Sequence, residues 1–376
     1  MVLNNEKLPI KLLELFIIFS PLEHIARVEQ VGYVIIIGFF LLAFFKILEL
    51  KRGLKFVLVL FMFHLLICCF WSPSNNAMSS GLVKLVVFSF LILAVQFDYT
   101  KEDYAMIKRA FLIQGMLLVV ICCVFGSFKD NRLWISTSSS GSDPNYLSTW
   151  FIFPLIYACD ELINSNNKGI WKLLVGIEMV AIYACVFLTA SRSGFVTNIL
   201  VVALYIVYCF RETIRKNPIK ALGLVLIIIV ASICIINFMP DYLIQRLTQT
   251  NSMGSRGRAW KELLATMNDD WGQSIIGFGE SATIYHNTQG AVYGYSTGGL
   301  VAHNTFLEVA FNNGIIGIMY FLILIIGGTI QKVRERQIEI VIGTFGMCVA
   351  LFTLSALSTR PVTFMLLLLL IDVQEG

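Results

Sequence analysis

Residues 305–330 read TFLEVAFNNGIIGIMYFLILIIGGTI, with one charged side chain, Glu308, among mostly aliphatic, aromatic and small residues. A run of that length can cross about 30 Å of hydrocarbon as a helix. Lipid enforces the helix because no water is there to take up free backbone groups. Directly before it, from Asp241 to Ala302, lies the one long polar stretch of the chain. Working outward, apolar runs recur at 31–47, 54–71, 82–97, 110–125, 147–159, 173–190, 195–210, 221–239 and 340–357. Shorter ones at 8–22 and 361–372 read as tilted, lengthened by their flanks or partly inserted. The 376 residues are 57% hydrophobic and 14% charged, more apolar than a water-soluble core of this length could hide. The expectation is an all-α, polytopic integral membrane protein with about 10–12 transmembrane helices and one long extracytoplasmic loop.

Loop charge orients the chain. Counting from a cytoplasmic amino terminus, one side collects Lys7, Lys11, Lys51, Arg52, Lys55, Lys101, Lys108, Arg109, Lys168, Lys172, Arg211, Arg215, Lys216, Lys220, Lys332, Arg334 and Arg336. The short loops opposite hold Arg27, Lys129, Arg132, Arg192 and Arg360. Basic residues beside helix ends stay in the cytoplasm, so the long loop is expected outside. The net charge of +4 then expresses topology and implies no nucleic-acid partner. Segment 8–22 lacks a small-residue cleavage site and reads as an uncleaved first span. The nine cysteines lie in or beside apolar runs and read as packing residues, with neither disulfide nor metal-ligand spacing. No internal repeat suggests an inverted-repeat transporter.

Inside the polar stretch, Ser255 reads as a helix cap, and Trp260, Leu263, Leu264 and Met267 recur at helical spacing, predicting an amphipathic surface helix. Glycines at 272, 277, 279, 290, 294, 298 and 299 then leave a long loop with Phe278, Tyr285, Tyr293 and Tyr295, the kind of segment that serves as a lid or binding loop. Four polar motifs stand out: Gly141-Ser142-Asp143-Pro144-Asn145; Ser191-Arg192-Ser193-Gly194; Arg256 with Trp260 and Gly277-Phe278-Gly279; and His303-Asn304-Thr305-Phe306-Leu307-Glu308 with Gly314 and Gly317.

On these motifs the chain resembles the bacterial O-antigen polymerase and O-antigen ligase superfamily. Its members are polytopic enzymes that transfer glycans from an undecaprenyl pyrophosphate carrier on the outer face of the membrane. The resemblance divides the chain into N-terminal transmembrane helices, 1–140, a catalytic region, 141–330, with its extracytoplasmic loop at 240–303, and C-terminal transmembrane helices, 331–376. It implies a multi-pass protein of the bacterial inner membrane with a periplasmic active site. The partners implied are an undecaprenyl-pyrophosphate-linked oligosaccharide, a glycan acceptor, the lipid bilayer and a chain-length regulator.

The residues suit that chemistry. An arginine fork meets phosphate oxygens through paired charge-assisted hydrogen bonds that lysine cannot reproduce. Arg192 and Arg256 fit this role, stabilising charge as it develops on the leaving group. His303 is the candidate general base, since an ordinary imidazole titrates near neutrality. Arg258, Ser191, Asn304, Asp143 and Asn145 are the candidate substrate-binding residues. The sequence has no Asp-x-Asp pair and no His-x-x-x-His, so neither a metal nor a cofactor is expected. With no evident nucleophilic carboxylate between the arginines and the histidine, a single inverting displacement is expected.

Each assignment has a plainer rival. Arg192 can snorkel at a helix end, and Arg256 and Arg258 can be solvated charges on an amphipathic helix. Asn304 can cap the following span, and Asp143-Pro144-Asn145 can be a helix-starting turn. Lys129 and Arg132 read as surface charge, and His286 as a fallback base. Glu14, His64 and Glu178 sit within apolar runs, where ionisable groups are functional suspects. A repeat-unit polymerase is the preferred activity, because polymerases are the more numerous branch of the family that the chain resembles. An O-antigen ligase acting on lipid A core is the alternative, and a flippase for the carrier-linked glycan is the alternative from a different class. Transporters concentrate charge near the midplane, whereas these candidates gather at one surface.

Overall fold

The apolar runs fold as helices. The computed structural model describes residues 7–25, 28, 30–44, 52–135, 143–165, 169–216, 251–283 and 302–374. In chain order come α1 (Lys7–Phe19), a 3-10 turn (Ser20–His24), α2 (Gln30–Ala43), α3 (Leu54–Ile67), α4 (Ala77–Ala94), β1 (Asp98–Tyr99) and α5 (Lys101–Phe125). Then follow β2 (Gly126–Lys129), β3 (Arg132–Ile135), α6 (Pro144–Thr149), α7 (Ile152–Asn164), α8 (Ile170–Leu188) and α9 (Arg192–Lys216). The remainder is α10 (Asn251–Asp269), α11 (Trp271–Ile276), α12 (Thr305–Arg334), α13 (Ile338–Leu351), α14 (Arg360–Leu370) and β4 (Asp372–Val373). Of the described residues 79% are helical, and among them sheet is limited to the parallel pair β1–β4 and the hairpin β2–β3. This is an all-α polytopic membrane protein. The expected span at 221–239, the loop residues 284–301 with His286 and its tyrosines and glycines, Cys234, and Gly141-Ser142 lie outside the described residues.

Among the described residues, α4, α5, α8, α9 and α12 are long and apolar enough to cross a membrane, and α2, α3, α13 and α14 are shorter apolar helices. The exposed faces say what surrounds them. On α8, Ile170, Leu173, Ile177 and Val180 form a stripe at helical spacing, each more than half exposed, while Val175, Glu178, Ile182 and Val186 are buried. Water would penalise such a stripe and acyl chains do not. The short run at 361–372, expected to be tilted, lengthened by its flanks or partly inserted, is enclosed by protein: every residue of α14 from Pro361 to Leu370 is buried. Phe364 packs edge-on against Phe16 and Phe111, with ring centroids 5.9 and 5.4 Å away. A helix apolar all round belongs at the centre of a bundle.

The bundle has two chemically different ends. At one, Lys55 meets Asp372 at 2.6 Å, Lys108 meets Asp160 at 2.7 Å and Glu339 at 3.3 Å, and Lys332 meets Glu335 at 2.7 Å. These lysines belong to the set that the sequence assigns to the cytoplasm. The other end collects the hairpin, the start of α6, the α8–α9 turn, α10, α11 and the start of α12.

Helix α12 is interrupted at Gly314, whose φ of 71° and ψ of −175° are not helical. The carbonyls of Phe311 and Asn312 accept instead from the backbone nitrogens of Phe278 and Gly279, both at 2.9 Å. The Phe278 ring stacks on Phe311 at 4.4 Å. A Cβ at 314 would overlap the backbone of Ile275 and Gly277, and one at 277 that of Asn312 and Asn313. Two glycines thus let two backbones touch where only positive φ is available.

Candidate functional site

Helix α10 starts at Asn251, a turn before Ser255, which lies inside the helix and not at its cap. Its buried face carries Ala259 and Leu263, with Met267 beside them, against a small apolar cluster of Ala282, Ala302 and Phe311. Leu264, expected on that stripe, is 55% exposed, so the face that packs on protein is narrower than the sequence pattern. Trp260 Nε1 donates to the Ala302 carbonyl at 2.7 Å, pinning the chain one residue before His303. Arg256 lies four residues before Trp260, on the same face of the helix. The bond that holds the loop therefore also delivers Arg256 to His303.

His303 adopts a left-handed φ of 48° and is half-buried. Burial, then the Arg256 cation, hold its pKa below the ordinary 6.5, while Asp143 pulls the other way. A neutral imidazole that can accept a proton at pH 7 is the result. Asn304 caps α12, its Oδ1 accepting from the Leu307 nitrogen at 3.1 Å.

The second half of the site comes from the starts of α6 and α9. Asp143 caps α6: its Oδ1 accepts from the Asn145 backbone nitrogen and side-chain amide, both at 2.7 Å, with Pro144 in the first turn, where a missing N–H costs nothing. Ser191 caps α9, its Oγ accepting from the Gly194 nitrogen at 3.1 Å and donating to Asn145 Oδ1 at 2.8 Å. Ala190 turns the chain with φ of 48°, and Gly194 leaves room for the Ser148 hydroxyl, which a Cβ there would overlap. Arg192 is thereby the first residue of α9, at the positive end of its dipole.

Arg192, Arg256, His303 and Asp143 fall within one electrostatic neighbourhood. Arg256 senses Asp143 and Arg192, and His303 senses Arg256 and Asp143. Burial first, and the second guanidinium after it, lower the pKa of Arg256, though an arginine keeps its charge regardless. Two guanidinium groups near a neutral imidazole suit a polyanionic ligand better than an empty cleft. Arg258 stands two residues from Arg256, about 200° round the helix, and is exposed. Ser191 and Asn304 are buried and occupied as caps. Asp143, one of the candidate substrate-binding residues, is a carboxylate within electrostatic reach of Arg256 and His303.

Two features escaped the sequence. Arg132, expected as surface charge, is 8% exposed and bonded to Thr189 and Asn145. Lys84, inside an apolar run, forms a buried ion pair with Glu280 at 2.5 Å, and Ser80 Oγ donates to the same carboxylate at 2.7 Å. The Lys84 cation and those hydrogen bonds keep the Glu280 pKa below its usual value against the opposing, larger effect of burial. A lysine in an apolar run was itself the available signal. The three suspects named from sequence lie elsewhere: His64 Nε2 contacts the Asn313 carbonyl at 2.7 Å, Glu178 packs beside Gly115 and Pro154, and Glu14 is on α1.

No curated protein matches the chain. A family model described as O-Antigen ligase matches residues 178–322, a range that includes Arg192, Arg256, the Gly277–Gly279 loop, His303 and the Gly314 break but not Asp143 or Arg132. The match supports an activity of O-antigen ligase or polymerase type, a membrane glycosyltransferase-like enzyme working on lipid-linked glycans. Residues 178–322 thus match an O-antigen ligase family domain, which supports the O-antigen polymerase and ligase superfamily.

Proposed function

We propose that the chain is a repeat-unit polymerase of O-antigen or capsule synthesis. It transfers a glycan from undecaprenyl pyrophosphate to a sugar hydroxyl of a lipid-linked acceptor at the periplasmic face of the inner membrane. What supports this reading is that Arg256 lies within electrostatic reach of both Arg192 and His303, at the end of the bundle opposite the paired lysines. Because basic helix ends stay in the cytoplasm, that end is the outer one.

The carrier enters from the bilayer, and its pyrophosphate lies against the two guanidinium groups, which stabilise the leaving group as the anomeric C–O bond breaks. The acceptor oxygen forms the new bond as its proton passes to His303 Nδ1 or Nε2. Asp143 caps α6 through its Oδ1 and is given no covalent role in this scheme. The displacement is therefore single and inverting, and an anomeric assignment of donor against product tests it; retention would overturn the scheme. A ligase is the second reading, favoured by the description of the matching family.

Glycan analysis of a deletion strain separates the readings. Surface glycan with one repeat unit is expected for a lost polymerase, and bare core with carrier-linked polymer marks a ligase. Units stranded on the cytoplasmic side mark a transporter. The pH profile adds a second expectation. With the His303 pKa depressed in the free protein, the midpoint of the acid limb of kcat/KM is expected below the pH 6.5 of an ordinary imidazole. Bound pyrophosphate favours imidazolium, so the acid limb of kcat lies at higher pH. A profile that falls already between pH 8 and 7 would remove His303 as base.

A further inference from the structure

Arg132 is a buried cation at the outer end that the transfer scheme does not use. It opens β3 at 8% exposure, and a guanidinium gives up hydration at that depth only where protein acceptors replace the water. Nε donates to the Thr189 carbonyl at 3.0 Å, Nη2 donates to Asn145 Oδ1 at 3.0 Å, and Nη2 lies 4.0 Å from Asp143 Oδ1. One planar fork thus joins the hairpin to the two segments that begin α6 and α9, a geometry available to arginine and not to lysine. Asn145 extends the contact, donating to Asp143 Oδ1 at 2.7 Å and accepting from the Ser191 hydroxyl at 2.8 Å. Asp143 is the carboxylate that both His303 and Arg256 sense.

We propose that Arg132 is a positioning residue of the transfer site, holding Asp143 and Asn145 as one unit so that the Asp143 carboxylate is shared between this guanidinium and the His303 imidazole. The role rests on the transferase reading, whereas the charge coupling exists without substrate. The charged groups facing His303 are Arg256 from α10 and Asp143 from the start of α6. Those facing Asp143 are Arg132, Arg256, His303 and the Tyr146 phenol. While Arg132 draws on the carboxylate, His303 remains neutral and able to take a proton. Without Arg132, more of the carboxylate's field falls on His303 and favours the imidazolium, with Arg256 still beside it.

The test uses the full chain in lipid nanodiscs. Diethyl pyrocarbonate acylates only neutral imidazole, so the rate of modification of the His303 peptide against pH, followed by mass spectrometry, gives the titration midpoint of that residue with no substrate present. Arg132→Gln is expected to raise the midpoint by about one pH unit, and Asp143→Asn to lower it. In the Asp143→Asn background, Arg132→Gln is expected to change nothing further. Equal shifts in both backgrounds, or none in either, overturn the proposal. Arg132→Lys keeps the charge and loses the fork, which covers the case in which Arg132→Gln does not fold. An upward shift is expected there too, and a wild-type midpoint would show that charge without held geometry suffices, which also overturns it. Loss of the transfer reaction from the biology with these shifts intact would sink the transferase reading and leave the coupling standing.

Discussion

Arg192→Lys and Arg256→Lys are each expected to lower glycan transfer by about 10²–10³-fold, the usual loss when one preorganised donor to a developing anion is removed. In cells the corresponding alanine variants leave single repeat units, or none, on the surface while the protein is made at wild-type level. Lysine keeps the charge and loses the planar pair of donors, so the lysine variants separate fork recognition of phosphate from a general positive field. Arg192 heads α9, and Arg256 lies in the second turn of α10. Carrier-linked units should still reach the outer face in these variants, as counted by periplasmic labelling of the lipid-linked pool. Wild-type polymer length in either alanine variant would remove the pyrophosphate role from that residue.

Lys84→Ala is expected to be the most damaging single change to the fold. It strands the Glu280 carboxylate, 2% exposed, with hydroxyl donors and no cation, and breaking a buried pair from one side costs about 3–5 kcal/mol. The damage would reach the Gly314 break. Glu280 follows the loop whose Phe278 and Gly279 nitrogens bond to α12, and its own nitrogen donates to the Cys68 carbonyl at 3.1 Å. Trp71 Nε1 donates to the Gly277 carbonyl at 2.8 Å, so α3, α4 and α12 share one polar joint under α10. Lys84→Met with Glu280→Gln removes both charges and should recover most of the stability lost by Lys84→Ala. Thermal unfolding in detergent measures this, and equal midpoints for wild type and Lys84→Ala would refute the account.

The three suspect groups show how far burial and function diverge in this fold. Glu178 is 4% exposed at the α5–α8 contact, where its Oε1 has no partner among the described residues, yet it lies away from the outer cluster. Position inside an apolar run marked it. Position at a helix end marked Arg192 and His303, and each lies within electrostatic reach of Arg256.

Hydropathy alone determined the class of this protein and the helices of its described apolar runs, because both follow from the cost of exposing backbone to lipid. The motifs around Arg192, Arg256 and His303 could be picked out for the same reason, as polar groups at helix ends of an apolar chain. The tertiary structure decided the rest. That α14 is the central helix follows from packing against α12 and α13, which no periodicity within its eleven residues encodes. That Arg132 is buried, that Lys84 finds Glu280 196 residues away, and that α12 breaks where Gly277 meets Gly314 depend on partners remote in sequence. Local pattern carries the preference of a residue for water, lipid or protein. Which remote group satisfies a buried charge is set only when the helices assemble, since the desolvation cost and the compensating contact arise together.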